Sequence, residues 1–173
     1  MVRQLSNGGF AGWAAYNFAF SSRTNTFGQR FFPGHDRRHE LNLVGSWTGR
    51  RWTKSVRFNL ATGTPYTENV GQFHRREYDA NLKHYDFTAH DFTQFITGPR
   101  NAHRLPLAQR LDVSFTRRGD GRGVSWSPYF SVMNLYNAKN YFAYIFNYSS
   151  QPPERLCLQQ LPVFPTVGLS VAW

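Results

Sequence analysis

Side chains in this chain alternate between apolar and polar one residue at a time, in six separate stretches. Ala14, Tyr16, Phe18 and Phe20 interleave with Ala15, Asn17, Ala19 and Ser21. Leu41, Leu43, Gly45 and Trp47 do so with Asn42, Val44 and Ser46, and Val56, Phe58 and Leu60 with Arg57, Asn59 and Ala61. The pattern returns at Leu111, Val113 and Phe115 against Arg110, Asp112, Ser114 and Thr116, then at Val124, Trp126, Phe130 and Val132 against Ser125, Ser127, Tyr129 and Ser131. Val167, Leu169, Val171 and Trp173 close the chain against Gly168, Ser170 and Ala172. Successive side chains of an extended strand point to opposite faces, so period 2 predicts strands with one apolar face and one small or polar face. The expected fold class is all-β and antiparallel.

The connections switch between short and long. Ser6–Gly9, Thr48–Trp52 and Arg118–Gly123 are tight, whereas residues 22–38, 64–106 and 137–163 are long. Asn7-Gly8 and Asp120-Gly121 suit hairpin turns that need positive φ. A loop as long as 64–106 counts against a compact soluble domain. Short turns at one rim and long loops at the other are the plan of a membrane β-barrel. Residues 137–163 are expected to form a hairpin beyond the sheet, because Tyr141 to Tyr148 is rich in aromatics and Gln151-Pro152-Pro153-Glu154 is a turn. Pro162 and Pro165 mark the start of the last strand, where proline is tolerated.

Composition points the same way. Aromatics make up 17% of the chain, with Phe 16 and Tyr 9, while mean hydropathy is −0.54. The apolar content is weighted towards rings, which suit a boundary between lipid and water. No segment approaches the ~20 apolar residues of a membrane helix, but alternating strands hide their apolarity from such an average. Trp47, Trp52, Trp126 and Tyr136, with Trp173, are expected to form an interfacial girdle.

Membrane strands run ~9–11 residues, and the smallest single-chain barrels have about eight of them. Six strands, plus the tail of another at Met1–Leu5, cannot close around a filled interior. An open edge in lipid leaves backbone groups unpaired. The expectation for residues 1–173 is therefore an incomplete antiparallel transmembrane β-barrel with extracellular hairpins. Met1–Gly9 has no apolar stretch of the signal-peptide kind, which adds to the expectation of a fragment or truncated reading frame.

The formal charge is +10. Arginines come in pairs, Arg37-Arg38, Arg50-Arg51, Arg75-Arg76 and Arg117-Arg118, mostly at strand ends or in loops. A continuous basic stripe, the usual nucleic-acid footprint, is missing, so a basic soluble β-domain binding nucleic acid is the weaker reading. Outer-membrane lipid and lipopolysaccharide are the expected partners. Cys157 is the single cysteine, so an internal disulfide is excluded.

The last residues, Thr166-Val167-Gly168-Leu169-Ser170-Val171-Ala172-Trp173, resemble the C-terminal signal of Gram-negative outer-membrane proteins. Thr166, Gly168, Val171 and Trp173 fill its positions, which implies recognition by the barrel-assembly machinery through strand addition. Other stretches resemble the C-terminal barrel of TonB-dependent receptors. Asp36-Arg37-Arg38-His39 is similar to the Asp-x-Arg-His that opens a descending strand, and Gly63-Thr64-Pro65-Tyr66-Thr67 to the end of the strand that follows. Arg104-Leu105-Pro106 with Arg110-Leu111-Asp112-Val113, and Val132-Met133-Asn134-Leu135-Tyr136-Asn137-Ala138-Lys139-Asn140, are similar to later segments in the same order. The resemblance implies the tail of a large plugged barrel that takes up a ferric siderophore, cobalamin or glycan. It also implies an N-terminal plug and TonB contact, which are not in this sequence. A stand-alone small outer-membrane barrel, acting as adhesin or structural protein, is the alternative.

No nucleophile stands beside a base in a recognisable elbow, and there is no paired-carboxylate spacing or phosphate-binding glycine loop, so no enzyme is expected. No cofactor or metal ligand set is expected either. His74, Arg75, Arg76, Tyr78, His84 and Tyr85 in the longest loop are the candidate extracellular ligand contacts. Their spacing fits no metal signature. His35, Asp36 and His39 are expected to hydrogen-bond neighbouring strands, and Arg110 and Asp112 to face the lumen and pair with other charges there.

Overall fold

The computed structural model describes residues 2–7, 9–75, 78–79, 81, 83–85, 92–121, 123–148, 150 and 154–172. These are all-β, without a helix. Eleven strands matter to the argument: β1 (Val2–Asn7), β2 (Phe10–Phe18), β3 (His39–Thr48), β4 (Trp52–Ala61), β5 (Asn69–Arg75), β6 (Phe92–Thr97), β7 (Ala108–Arg117), β8 (Val124–Met133), β9 (Tyr141–Asn147), β10 (Glu154–Gln159) and β11 (Phe164–Ala172). Shorter ladders of two or three residues lie between them.

Seven of these strands form one antiparallel meander in the order β1-β2-β3-β4-β7-β8-β11. The expected six strands are present, and the N-terminal tail makes a seventh, longer than foreseen. The turns are as tight as the glycines suggest. Asn7 pairs with Phe10 across a two-residue turn in which Gly9 has φ 88°. Gly121 pairs with Val124 across another, in which Gly123 has φ 78°. The β7–β8 ladder thus continues through Gly119–Gly121, and the turn is shorter than the span Arg118–Gly123 suggested. Because neighbours run antiparallel, all three short turns fall at one end of the sheet and all three long connections at the other.

The long connections carry structure of their own. Arg23–Thr24 pairs with Arg30–Phe31, β5 with β6, and β9 with β10. The last is the hairpin foreseen in 137–163, although its proposed turn at residues 151–153 lies outside the described residues.

The sheet stays open in the described residues, with β1 and β11 as unpaired edges. It has almost no core. Among the described residues the buried hydrophobic ones are Ala61 and Val132 of the sheet and Leu105 of a connection. The chain exposes 12931 Å², against roughly 8,700 Å² for a folded monomer of its mass. On the sheet's apolar face Leu43, Val56 and Phe130 are about 40% exposed, and Val167 on the edge strand is 78% exposed.

Candidate functional site

The register sorts the sheet into two faces. On one lie Phe10, Gly12, Ala14 and Tyr16 of β2, paired with Trp47, Gly45, Leu43 and Leu41 of β3. These continue into Val56, Phe58 and Leu60 of β4, then Val113 and Leu111 of β7. Val132 and Phe130 of β8, with Pro165 and Val167 of β11, complete the row. Apolar residues therefore run without a break across β2 to β11. Where glycine leaves a gap, a ring fills it. Phe10 lies over both Gly12 and Gly45, so that a Cβ on Gly12 would meet its ring at 3.2 Å. An apolar groove of about 400 Å³ follows beside it, along Gly12, Ala14, Leu43, Gly45, Val56 and Phe58.

The other face is polar and small. Asn59 Nδ2 donates to Asn42 Oδ1 at 2.8 Å, and Ser55 Oγ to Ser46 Oγ at 3.1 Å. Ser131 and Thr166 share a hydroxyl hydrogen bond of 2.5 Å. Arg110 Nε stands 3.1 Å from Asp112 Oδ2, so the two pair with each other and not with other lumen charges as expected. Cross-strand hydroxyl and amide pairs of this kind hold register where no apolar core does.

At the short-turn end, on the apolar face, Trp47 pairs with Lys54 and Trp52 with Arg117. Lys54 Nζ sits 5.5 Å from the Trp47 ring centre, and the Arg117 guanidinium lies between Trp52 at 5.8 Å and Trp126 at 5.7 Å. Three of the five aromatics expected in a girdle thus share one rim, while Tyr136 follows β8 at the opposite end and Trp173 lies outside the described residues. Tyr136 and the three tryptophans are all exposed.

The long-loop end is held by a polar clasp. Asp36 is buried, accepts the Ser21 N–H at 3.0 Å, and forms an ion pair with Arg104. Arg104 also donates to the backbone oxygens of Asp36 at 2.9 Å and Gly63 at 3.2 Å. Burial alone would push the Asp36 carboxyl up; the Arg104 and Ser21 hydrogen bonds and the charges of Arg104 and Arg38 outweigh it, and the net direction is down. Asn101, in the left-handed region at φ 53°, donates Nδ2 to the Phe32 carbonyl at 2.6 Å and its N–H to Thr67 Oγ1 at 2.9 Å. Arg38 lies over Phe20 and Phe32. Asp36 therefore ties the first long loop to the end of the second. His39 turns elsewhere, bonding the Tyr16 hydroxyl at 2.7 Å. The group His35, Asp36 and His39 does not converge on one point: His39 bonds a neighbouring strand as expected, and Asp36 bonds Ser21 and Arg104 of the connections.

A second polar node ends β8. Asn134 is buried, with φ 53°. Its Nδ2 donates to Ala138 O at 3.0 Å and Leu161 O at 3.1 Å, its Oδ1 accepts the Ala138 N–H at 2.8 Å, and its own N–H donates to Asp112 Oδ1 at 3.0 Å. Asn137 Oδ1 accepts the Val163 N–H at 3.1 Å. Asn140 imitates a strand neighbour, exchanging hydrogen bonds with the Gln109 backbone at 2.8 and 2.9 Å. The three asparagines were visible in the sequence only as a resemblance; their bonding role was not. A cleft of about 480 Å³ opens beside them, lined by Arg110, Met133, Asn140, Phe142 and Leu158.

The two outer hairpins touch. Tyr66 packs edge-on to Tyr144 at 5.2 Å, and the Tyr148 hydroxyl donates to the Asn69 carbonyl. Of the candidate ligand contacts, His74 and Arg75 end β5 opposite Thr93 and Phe92, and Tyr78 pairs with Tyr85 beside the pair Asp79 and His84. The structure thus brings Tyr78, His84 and Tyr85 together in register; all five of these side chains, and Arg76 entirely, lie outside the described residues. In the C-terminal pattern, Thr166, Gly168 and Val171 stand on β11, and Trp173 lies outside the described residues. Gly168 lies under the Tyr129 ring of β8. Among the described residues no cluster of three or more His, Cys, Asp or Glu could hold a metal ion. Compared with known proteins, the chain matches no family model, no curated protein and no solved structure.

Proposed function

We propose that this chain is the C-terminal part of an outer-membrane β-barrel receptor, of the TonB-dependent kind, for uptake of a scarce small ligand. The supporting observation is the apolar face that runs unbroken across β2 to β11 while the opposite face carries Asn, Ser, Arg and Asp. A soluble protein would cover such a face. In lipid it needs no cover, and the polar face then lines an aqueous interior. The long connections, clasped by Asp36 and Arg104, form the outer rim. The unpaired edges of β1 and β11 call for further strands to close the ring, since open edges are not tolerated in hydrocarbon. The resemblance of Asp36–His39, Arg104–Asp112 and Val132–Asn140 to receptor segments narrows the reading from barrel to receptor.

The test is an antibody raised against residues 66–100, applied to intact cells and to their outer-membrane fraction. The expected result is surface labelling and a membrane band several times heavier than 20.1 kDa. Antigen confined to the soluble fraction would sink the membrane reading. A membrane band at 20.1 kDa would replace the receptor with a small barrel closed by oligomerisation.

A further inference from the structure

We infer that the short-turn rim holds an anionic glycerophospholipid, its headgroup phosphate on Lys54 and Arg117 and one acyl chain along the groove beside Phe10, walled by Ala14, Leu43, Val56 and Phe58. The inference rests on the membrane reading above and adds a partner to it. The two stretches 50–54 and 117–122 hold six of the chain's twenty basic residues and one of its ten acidic ones, Asp120. Among the described residues, Arg50, Arg51, Lys54, Arg117 and Arg118 are exposed and none of them is in an ion pair. Arg117 is instead sandwiched between Trp52 and Trp126, and Lys54 stands over Trp47. Rings of this kind orient a cation without neutralising it, so its charge stays available to an anion.

Register places these groups at one level. Lys54 pairs with Phe115, two residues before Arg117, so the two cations are diagonal neighbours on adjacent strands, about 7–8 Å apart at the backbone. A phosphate fits between them. The groove begins one register row inward, where Phe10 opposite Trp47 gives way to Gly12, Gly45 and Val56. Its remaining walls, Ala14, Leu43 and Phe58, continue in the direction an acyl chain takes from that headgroup. Charge, rings and groove thus match the three parts of one molecule. A zwitterionic lipid would offer the same chain but would set its own ammonium against the rim.

The closed barrel that contains this chain, its tryptophans outside the chain replaced by phenylalanine, is reconstituted into phosphatidylcholine bilayers in which a small fraction of lipid carries brominated acyl chains, on either phosphatidylglycerol or phosphatidylcholine. Bromine quenches tryptophan on contact, and Trp47, Trp52 and Trp126 stand beside the site. Phosphatidylglycerol is expected to be enriched roughly fivefold or more over phosphatidylcholine at the rim, since each cation near the surface favours anionic lipid by about that factor. The preference should disappear in Lys54→Gln/Arg117→Gln and survive in Lys54→Arg/Arg117→Lys, which keeps both charges. Equal quenching by both lipids would overturn the site and leave the membrane reading standing. A preference that persists in the double glutamine variant would place the lipid elsewhere and also overturn it. Absence of quenching by either lipid would overturn the membrane reading and the site together.

Discussion

The ring of Tyr129 on β8 covers the bare backbone of Gly168 on β11, so that a Cβ there would stand 2.3 Å from Tyr129 Cε1. The two residues are direct cross-strand partners on the polar face. A glycine inside a strand usually weakens it, but here it is the recess that receives a ring. This gives a physical reason for glycine at that place in the C-terminal pattern, independent of any assembly signal. Gly168→Ala should displace the ring and cost about 1 kcal/mol, because the ring end can swing aside and only its packing is lost. The added substitution Tyr129→Ala should remove most of the further penalty of the methyl. A denaturant-midpoint double-mutant cycle measures this, and additive effects would show that the two residues do not act as a unit.

Arg104→Met should be among the most damaging single changes at the long-loop rim. It leaves the Asp36 carboxylate buried without its cation, a situation that costs about 3–5 kcal/mol. Asp36→Asn with Arg104→Met together should recover part of that loss, because no net charge then remains buried. Limited proteolysis of residues 19–38 and 98–107 reports the opening, and equal sensitivity of single and double variants would argue against a clasp.

Acid should open the same clasp. Asp36 has a lower pKa folded than unfolded, so it binds a proton less readily in the folded state. Its stabilising contribution is complete above the unfolded value near 3.8, and is lost as pH falls below that and through the still lower folded value. Hydrogen exchange at the Ser21 amide, which Asp36 accepts, should therefore speed up at pH 3 relative to pH 5 beyond its intrinsic dependence. Exchange that follows the intrinsic dependence alone between pH 5 and pH 3 would sink this reading of the clasp.

Asn134 allows backbone and side-chain roles to be separated. Asn134→Gly keeps the φ of 53° easy but removes the bonds to Ala138 and Leu161, whereas Asn134→Ala loses the bonds and strains the backbone. The glycine variant should lose about 1–3 kcal/mol and the alanine variant roughly a further 1 kcal/mol. Thermal or denaturant unfolding in the presence of lipid or detergent is the measurement. Equal losses would mean that the left-handed conformation costs nothing at this site.

The two faces predict opposite responses from adjacent residues. Val113→Arg puts a charge on the apolar face and should cost about 2–4 kcal/mol at mid-height in a bilayer, while Ser114→Arg on the polar face should be nearly neutral. In detergent-free solution the order would reverse if the apolar face were covered by another protein surface of acidic character. Comparing the folded fraction of both variants in vesicles decides it.

Much of the sheet could be read from the sequence because its signals are local. Period-2 alternation named the strands, but the positive φ falls on Gly9 and Gly123, one and two residues past the Asn7-Gly8 and Asp120-Gly121 pairs that the sequence offered. The division into short and long connections likewise follows from residue order alone. What could not be read depends on contacts between distant residues. Asp36 and Arg104 meet across 68 positions, and nothing in either segment names the other. The ladder between Tyr78–Asp79 and His84–Tyr85 lies in a stretch without alternation, so period gave no hint of it. Lys54 and Arg117 read as ordinary strand-end charges; only the register of β4 against β7 puts them beside the tryptophans. Asparagines 134, 137 and 140 could be seen as a string but not as substitutes for backbone partners, because an amide side chain offers the same donor and acceptor in many conformations.

The placement of all three long connections at one end has an evolutionary consequence. Closing a longer loop costs little, about 0.6 kcal/mol for each doubling, and each loop here leaves and rejoins the sheet through a few fixed bonds. Residues 69–97 can therefore be lengthened, shortened or exchanged without disturbing the register of β4 against β7, which Ala61 and Ala108 already fix. Under the proposed receptor reading, selectivity for a new ligand would arise by replacing loops on a scaffold that never has to refold differently.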